Sequence, residues 1–406
     1  MVVPVLLAGV LLIGALFFIL GRAGRDDPGQ SRPQAAAPGS TASAPAVTGP
    51  GNDTASPTGE GPNRSGPASG TTPGTGSGAP SATSTPTPSA TRPAPPPPPS
   101  TLLAFASRRF GAPGVFVVKV DGTGERRLTP AAGEYFTPAW SPDGSQIAYA
   151  SRRVGNTDVF VVKADGTGER RLTTDPGEDF DPAWSPDGTR IAFSSRRDGN
   201  VDIFVVDPAG KNERRLTRDP AMDFGVAWSP DSTRLAYTTD GPGGSDLFVV
   251  NADGTGGRRL TDTAGNDLSP VWSPDGRRLA FVSQRAGNAD IFVIDADGTG
   301  AHPVTTDGGE DLAPAWSPDG TRLAFVGQRG GNRDIFTAGA DGKGERRLAP
   351  DPAEDTSPTW APDGTRVAFV SDRDGNRDIY AVNADGSDVR RLTTDQGADF
   401  DPRWRP

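Results

Sequence analysis

Along residues 101 to 406 the apolar positions fall in short clusters that never show helical spacing. From Asp179 to Thr217 the chain reads DFDPAWS, PDGT, RIAFSS, RRDGN, VDIFVVD, PAGKNE and RRLT. Four stretches rich in Ile, Val, Phe, Leu and Thr thus alternate with Gly, Asn, Asp and Pro, a pattern of short strands joined by tight turns. The wording returns every 44 residues without insertion or deletion, marked by Trp140, Trp184, Trp228, Trp272, Trp316, Trp360 and Trp404. Four strands in a period of this length predict a β-propeller blade.

Proline orients the blade. Two residues before each tryptophan stand Pro138, Pro182, Val226, Pro270, Pro314, Pro358 and Pro402. A proline cannot donate to a strand ladder, so the Trp strand is expected at a sheet edge. In a propeller that edge is the innermost strand, facing the central channel. Simple alternation puts Trp184, Pro182 and Phe180 on one face, and small residues such as Ala183, Ala227, Ala315, Ser269 and Ser357 on the other.

The first copies of the other three strands, Leu102 to Ser107, Val115 to Val118 and Arg126 to Thr129, precede the first Trp strand. The last Trp strand, DFDPRW, is left over at the C-terminus. Pairing it with the N-terminal trio gives an all-β, seven-bladed propeller of four-stranded blades closed by the C-terminal strand. Arg403 takes the place of the small residue usual before Trp, so the closing seam is expected to pack differently.

The stretch W-S-P-D-G-x-x-I-A-F-x-S-x-R-x-G-N-x-D-I-F-V from Trp184 to Val205 resembles the WD-like repeat of TolB-type β-propellers, and the resemblance covers essentially all of 101 to 406. It specifies the fold closely and the activity poorly. It implies a role as a partner in envelope complexes, where the protein that gives the family its name has six blades and an extra N-terminal domain. Here the repeats number seven and the N-terminal segment is of another kind.

Residues 2 to 20, VVPVLLAGVLLIGALFFIL, are uncharged and almost wholly apolar, long enough to span a bilayer as a helix. Residues 1 to 21 are therefore expected to be a transmembrane anchor or an uncleaved signal, and residues 22 to 100, rich in Pro, Ser, Thr, Gly and Ala, a disordered stalk. Arg22 and Arg25 on the C-terminal flank would by the positive-inside rule keep that side in the cytoplasm. A stalk of this composition suits an external surface, and the expectation is a single-pass protein of a bacterial cell membrane with the propeller outside the cytoplasm. A missing upstream segment would reconcile the two signals.

Residues 101 to 406 carry 36 of the 41 Lys and Arg but 47 of the 51 Asp and Glu. This acidic balance disfavours a nucleic acid partner, because affinity there rests on neutralising phosphates. With no cysteine there are neither disulfides nor thiolate metal sites. The single histidine, His302, opens an outer strand as a surface residue, and no G-x-S-x-G elbow is present. The DGTGER stretches lead into no helix and are hairpin turns; DADGTG (295 to 300) lacks the remaining ligands of a calcium loop. No cofactor, catalytic residue or metal site is expected, and the propeller is expected to be monomeric.

Two rings of charge remain as binding candidates. Five residues before the tryptophans stand Asp179, Asp223, Asp267, Asp311, Asp355 and Asp399, with Tyr135 in the odd copy. At the loop between the second and third strands stand Arg109, Arg153, Arg197, Arg285, Arg329 and Arg373, with Gly241 in the odd copy. Paired, these rings would lock adjacent loops; unpaired, they would form a charged collar at the channel mouth for a peptide or polar ligand. The loops RRFGAPG (108 to 114) and TDGPGGSD (239 to 246) diverge on the same face. Three roles follow: a protein- or ligand-binding scaffold in the cell envelope, the outer sensor of a truncated receptor kinase, or a polysaccharide lyase or hydrolase.

Overall fold

Short runs of β-branched and aromatic residues, each closed by a turn-forming Asp-Gly or Gly-Asn, leave the chain little choice but meandering hairpins. The computed structural model describes residues 101–406 apart from Phe110, Ala112, Ala131, Ala132 and Val154. The anchor expected at 1 to 21 and the stalk expected at 22 to 100 lie outside the described residues. Among the described residues no helix is long and apolar enough to cross a membrane.

Among the described residues the strands form seven antiparallel four-stranded sheets. Blade 1 joins Leu102–Ser107, Gly114–Lys119 and Arg126–Arg127 to Asp399–Trp404 from the far end of the chain. Blades 2 to 7 follow in order, with inner strands Glu134–Trp140, Glu178–Trp184, Met222–Trp228, Asp267–Trp272, Asp311–Trp316 and Asp355–Trp360. The inner strands neighbour one another in a closed cycle, and the C-terminal one sits between those of blades 7 and 2.

The core lies between blades rather than within them. Val115, Val117 and Leu128 of blade 1 pack on Tyr135, Trp140, Ile147 and Tyr149 of blade 2, and each later junction repeats the pattern. Five of the tryptophans, Trp140, Trp228, Trp272, Trp316 and Trp404, also tie their blade to the preceding one through the indole N–H. Trp228 Nε1 donates to Ala183 O at 3.1 Å, and Trp404 Nε1 donates to Thr359 O at 3.1 Å. At the seam, Trp140 Nε1 donates to Arg403 O at 3.1 Å.

Strict alternation along the inner strand does not hold. In blade 3, Asp179 pairs with Ser195 and Phe180 with Ser194, but Ala183 pairs with Ala192 and Trp184 with Ile191. One extra residue is therefore inserted between Phe180 and Ala183, a β-bulge that reverses the facing of what precedes it. Asp179 consequently shares a face with Trp184, and Phe180 shares the other with Ala183, which corrects the face assignment expected from the sequence. The bulge recurs in all seven blades.

Its first residue has positive φ in every copy: Thr137, Asp181, Gly225, Ser269, Ala313, Ser357 and Asp401, from 46° to 66°. Only Gly225 adopts this region without a steric penalty. The missing N–H of the following proline leaves one fewer donor to satisfy at the interrupted ladder.

Candidate functional site

The aspartates of the first ring are not exposed at the channel mouth. Asp179, Asp223, Asp267, Asp311, Asp355 and Asp399 are all 0% accessible. A buried carboxylate needs a partner, and in most blades the arginine of the same blade supplies it. Arg285 Nη2 lies 3.0 Å from Asp267, Arg329 Nη1 2.7 Å from Asp311, Arg373 Nη2 2.9 Å from Asp355 and Arg197 Nη2 3.3 Å from Asp179. In blade 1 the pair spans the chain ends, with Arg109 Nη2 3.6 Å from Asp399 and 2.6 Å from Asp395.

Each guanidinium is held from several sides. In Arg109, Arg197, Arg285 and Arg373 the Nε donates to the serine two residues earlier, as in Arg285 to Ser283 at 2.7 Å and Arg373 to Ser371 at 2.8 Å, whereas Gly327 stands at that place before Arg329. The guanidinium also lies over the third-strand aromatic ring, 4.2 Å from the Phe116 centroid for Arg109 and 4.5 Å from Phe292 for Arg285. Asp175 meets Arg197 at 3.4 Å, and Glu213 accepts from it at 2.5 Å. The two sequence rings are thus brought together as intrablade clamps that fix the loop between strands two and three.

A second set of buried pairs lies further out. Asp158, Asp202, Asp334 and Asp378, all 0% accessible, are met by Arg171, Arg215, Arg347 and Arg391 at 2.6 to 2.7 Å. The His302 ring faces backbone oxygens, with Nδ1 2.9 Å from Gly300 O and Nε2 3.1 Å from Ala340 O. The DGT segments are turns closed by their own aspartate, as where Asp297 Oδ1 accepts from Thr299 N at 2.9 Å.

Where a ring position departs from the rule, the structure changes. In blade 2, Tyr135 is buried and its hydroxyl donates to Pro130 O at 2.8 Å, while Arg153 turns to Glu169 at 2.9 Å and stacks over Phe160. In blade 4, Gly241 supplies no guanidinium, and Asp223 is left with threonine hydroxyls beside it, Thr239 Oγ1 donating to Oδ1 at 2.7 Å. Burial pushes the Asp223 carboxyl up to about 7, with Thr217 and Thr239 pulling the other way.

A third set of residues was not recognised from the sequence. The partly exposed bulge residues lie on the inner strands, and among them only Asp181 and Asp401 are charged. Thr137 stands between their blades, and its backbone N–H bonds the Asp401 carboxyl. Loss of hydration pushes Asp181 up to about 7, Asp401 adds to the rise and Arg403 opposes it. Thr137 Oγ1 and Asp181 Oδ1 are buried without a hydrogen-bond partner. The signal was available, since T, D, G, S, A, S, D is the most variable position of the inner strand, but only the bulge shows why this position matters. Among the described residues no three His, Asp or Glu side chains converge as a metal set.

The comparisons with known proteins agree with the architecture. The sequence profile of the TolB beta propeller domain matches residues 172–248, 219–312 and 307–406. TolB from Acinetobacter baumannii is 19% identical with a TM-score of 0.53, covering 75% of this chain and 83% of that one. Oligogalacturonate lyase from Vibrio parahaemolyticus is 16% identical with a TM-score of 0.55, covering 73% and 87%. A puromycin-hydrolyzing peptidase of Mycobacterium tuberculosis is 17% identical with a TM-score of 0.59, covering 73% of this chain and 52% of that one. No curated protein matches the sequence. At these identities the structural likeness concerns the fold alone.

Proposed function

This chain belongs to the TolB beta propeller domain family, and from that premise we propose that its propeller is a binding scaffold for a protein or peptide of the bacterial cell envelope, carried outside the cytoplasm by the apolar segment at residues 2 to 20. One observation carries this reading. The Asp and Arg rings are tied up in intrablade clamps in blades 1, 3, 5, 6 and 7, which leaves the irregular residues of neighbouring inner strands, Asp181, Asp401, Thr137 and Arg403, as the candidates to meet a partner there. They form an asymmetric acidic patch in a ring that is otherwise close to seven-fold.

Recognition suits this patch better than turnover. Asp181 and Asp401 are not joined to a hydroxyl nucleophile, and His302 is engaged with backbone oxygens on an outer strand. Capture of envelope proteins on the full chain, compared with an Asp181→Asn/Asp401→Asn variant, tests the reading. The variant is expected to lose at least one partner that the wild type retains; an unchanged set of partners would overturn it.

A further inference from the structure

Blade 4 holds a cradle built for a guanidinium but lacks the arginine that fills its counterparts. In blades 1, 3, 5, 6 and 7 the cradle consists of a buried aspartate, a hydroxyl or glycine two residues before the arginine, and the aromatic ring of the third strand. Blade 4 keeps these walls as Asp223, Thr239 and Phe248, with Tyr237 beside Phe248 at a centroid distance of 5.9 Å. Asp219 occupies the place from which Asp175 meets Arg197 in blade 3. At the arginine position stands Gly241.

The consequences are specific to this blade. Asp223 is 0% accessible and its Oδ2 accepts no hydrogen bond. Phe248 is partly exposed, whereas Phe116, Phe160, Phe204, Phe292, Phe336 and Tyr380 at the same position are buried. A Cβ placed on Gly241 would meet only Gly244 O, at 4.0 Å, so the space is open. The glycine is not required by the backbone, because its φ is not positive.

We propose that this cradle takes a guanidinium group from outside the chain, with the charge set against Asp223 and Asp219 and the plane stacked on Phe248. A guanidinium is favoured over an ammonium because its planar fork can lie on an aromatic face while donating two bonds to one carboxylate. The proposal rests on the reading of the propeller as a binding module and names the chemistry that one blade would recognise. It uses residues distinct from Asp181 and Asp401, so the two stand or fall separately.

Charge near the cradle sets a pH dependence. Asp219 and Asp202 face Asp223 and raise its proton affinity, but Asp202 is itself paired with Arg215 at 2.6 Å; Asp240 is engaged with Ser245 at 3.0 Å. A cation should therefore bind better above pH 7 than below it.

The test is calorimetric titration of the full chain with N-acetyl-argininamide at pH 8 and pH 5.5, beside N-acetyl-lysinamide and an end-blocked Gly-Gly-Arg-Gly-Gly peptide. Binding of the arginine compounds is expected at pH 8, weakened at least tenfold at pH 5.5 and at least severalfold for the lysine compound. Asp223→Asn should weaken it at least tenfold, and Gly241→Arg, which supplies the missing group from within, should abolish it while the fold melts no lower than wild type. Tighter binding of the peptide than of the free amide would point to an arginine of a partner chain, and equal binding to a small guanidinium compound; both support the cradle. No arginine-dependent heat at either pH, or heat unchanged by both substitutions, would overturn it.

Discussion

Deletion of residues 398 to 406 is expected to abolish the cooperative thermal transition of the whole propeller rather than to fray one blade. The deleted strand is the inner strand of blade 1, paired with Leu102–Ser107 through Leu103 to Trp404 and Ser107 to Asp399. It contributes Trp404, 7% exposed and packed with Leu103, Phe105, Ala368 and Leu392 of blades 1 and 7. It also accepts the Trp140 bond at Arg403 O, seats Asp399 against Arg109 and places Arg405 over the Trp140 ring at 5.8 Å. Loss of one buried Trp side chain alone costs about 3 to 5 kcal/mol, against a total domain stability of roughly 5 to 15 kcal/mol. Thermal melting followed by near-UV circular dichroism checks this; a melting curve like that of the intact chain would contradict ring closure by the C-terminal strand.

Gly241→Arg is expected to raise the melting temperature, by a margin that grows with pH. Asp223 has a folded-state pKa of about 7 against an ordinary value of 3.8, raised first by burial. The protonated carboxyl is thus preferred in the fold, and its contribution to stability is fully present below pH 3.8 and lost as pH rises through about 7. That loss is on the order of a few kcal/mol at most. An arginine at 241, seated as Arg285 is on Asp267, would favour the ionised form and remove the loss. The variant should melt near wild type at pH 4 and several degrees higher at pH 8. Equal melting temperatures at both pH values would show that Asp223 does not ionise in the fold.

Much of this architecture is written into the chain because propeller physics repeats. The 44-residue spacing of the tryptophans, the proline before most of them and the surplus strand at the C-terminus give blade count, inner edge and closure. The Asp and Arg rings were visible for the same reason, since each is one position of a repeat. Their burial was less visible. It depends on the bulge between Phe180 and Ala183, which sets Asp179 on the same face as Trp184 and turns it toward Ser195. A bulge leaves almost no mark in sequence when its positive-φ residue is Thr, Asp, Ser or Ala rather than Gly. Strict alternation therefore misplaced half the strand, and the partly exposed inner-strand residues Asp181 and Asp401 went unnoticed. Gly241 and Tyr135 stood out as exceptions, but only the orphaned Asp223 Oδ2 and the bared Phe248 show what the first exception does.

The proposal at the centre of this reading is a division of labour in which regular positions hold the ring and irregular positions are the ones proposed to meet partners. Melting and envelope capture measured together on Arg285→Ala and Asp181→Asn/Asp401→Asn test it most directly. Arg285→Ala leaves Asp267 buried without its cation, a loss of about 3 to 5 kcal/mol, so it should melt lower and keep the wild-type partners at temperatures where it is folded. The double variant should melt no lower and lose a partner. The reverse pattern, with partners lost on Arg285→Ala at an unchanged melting temperature and retained by the double variant, would contradict the account and move recognition to the arginine ring.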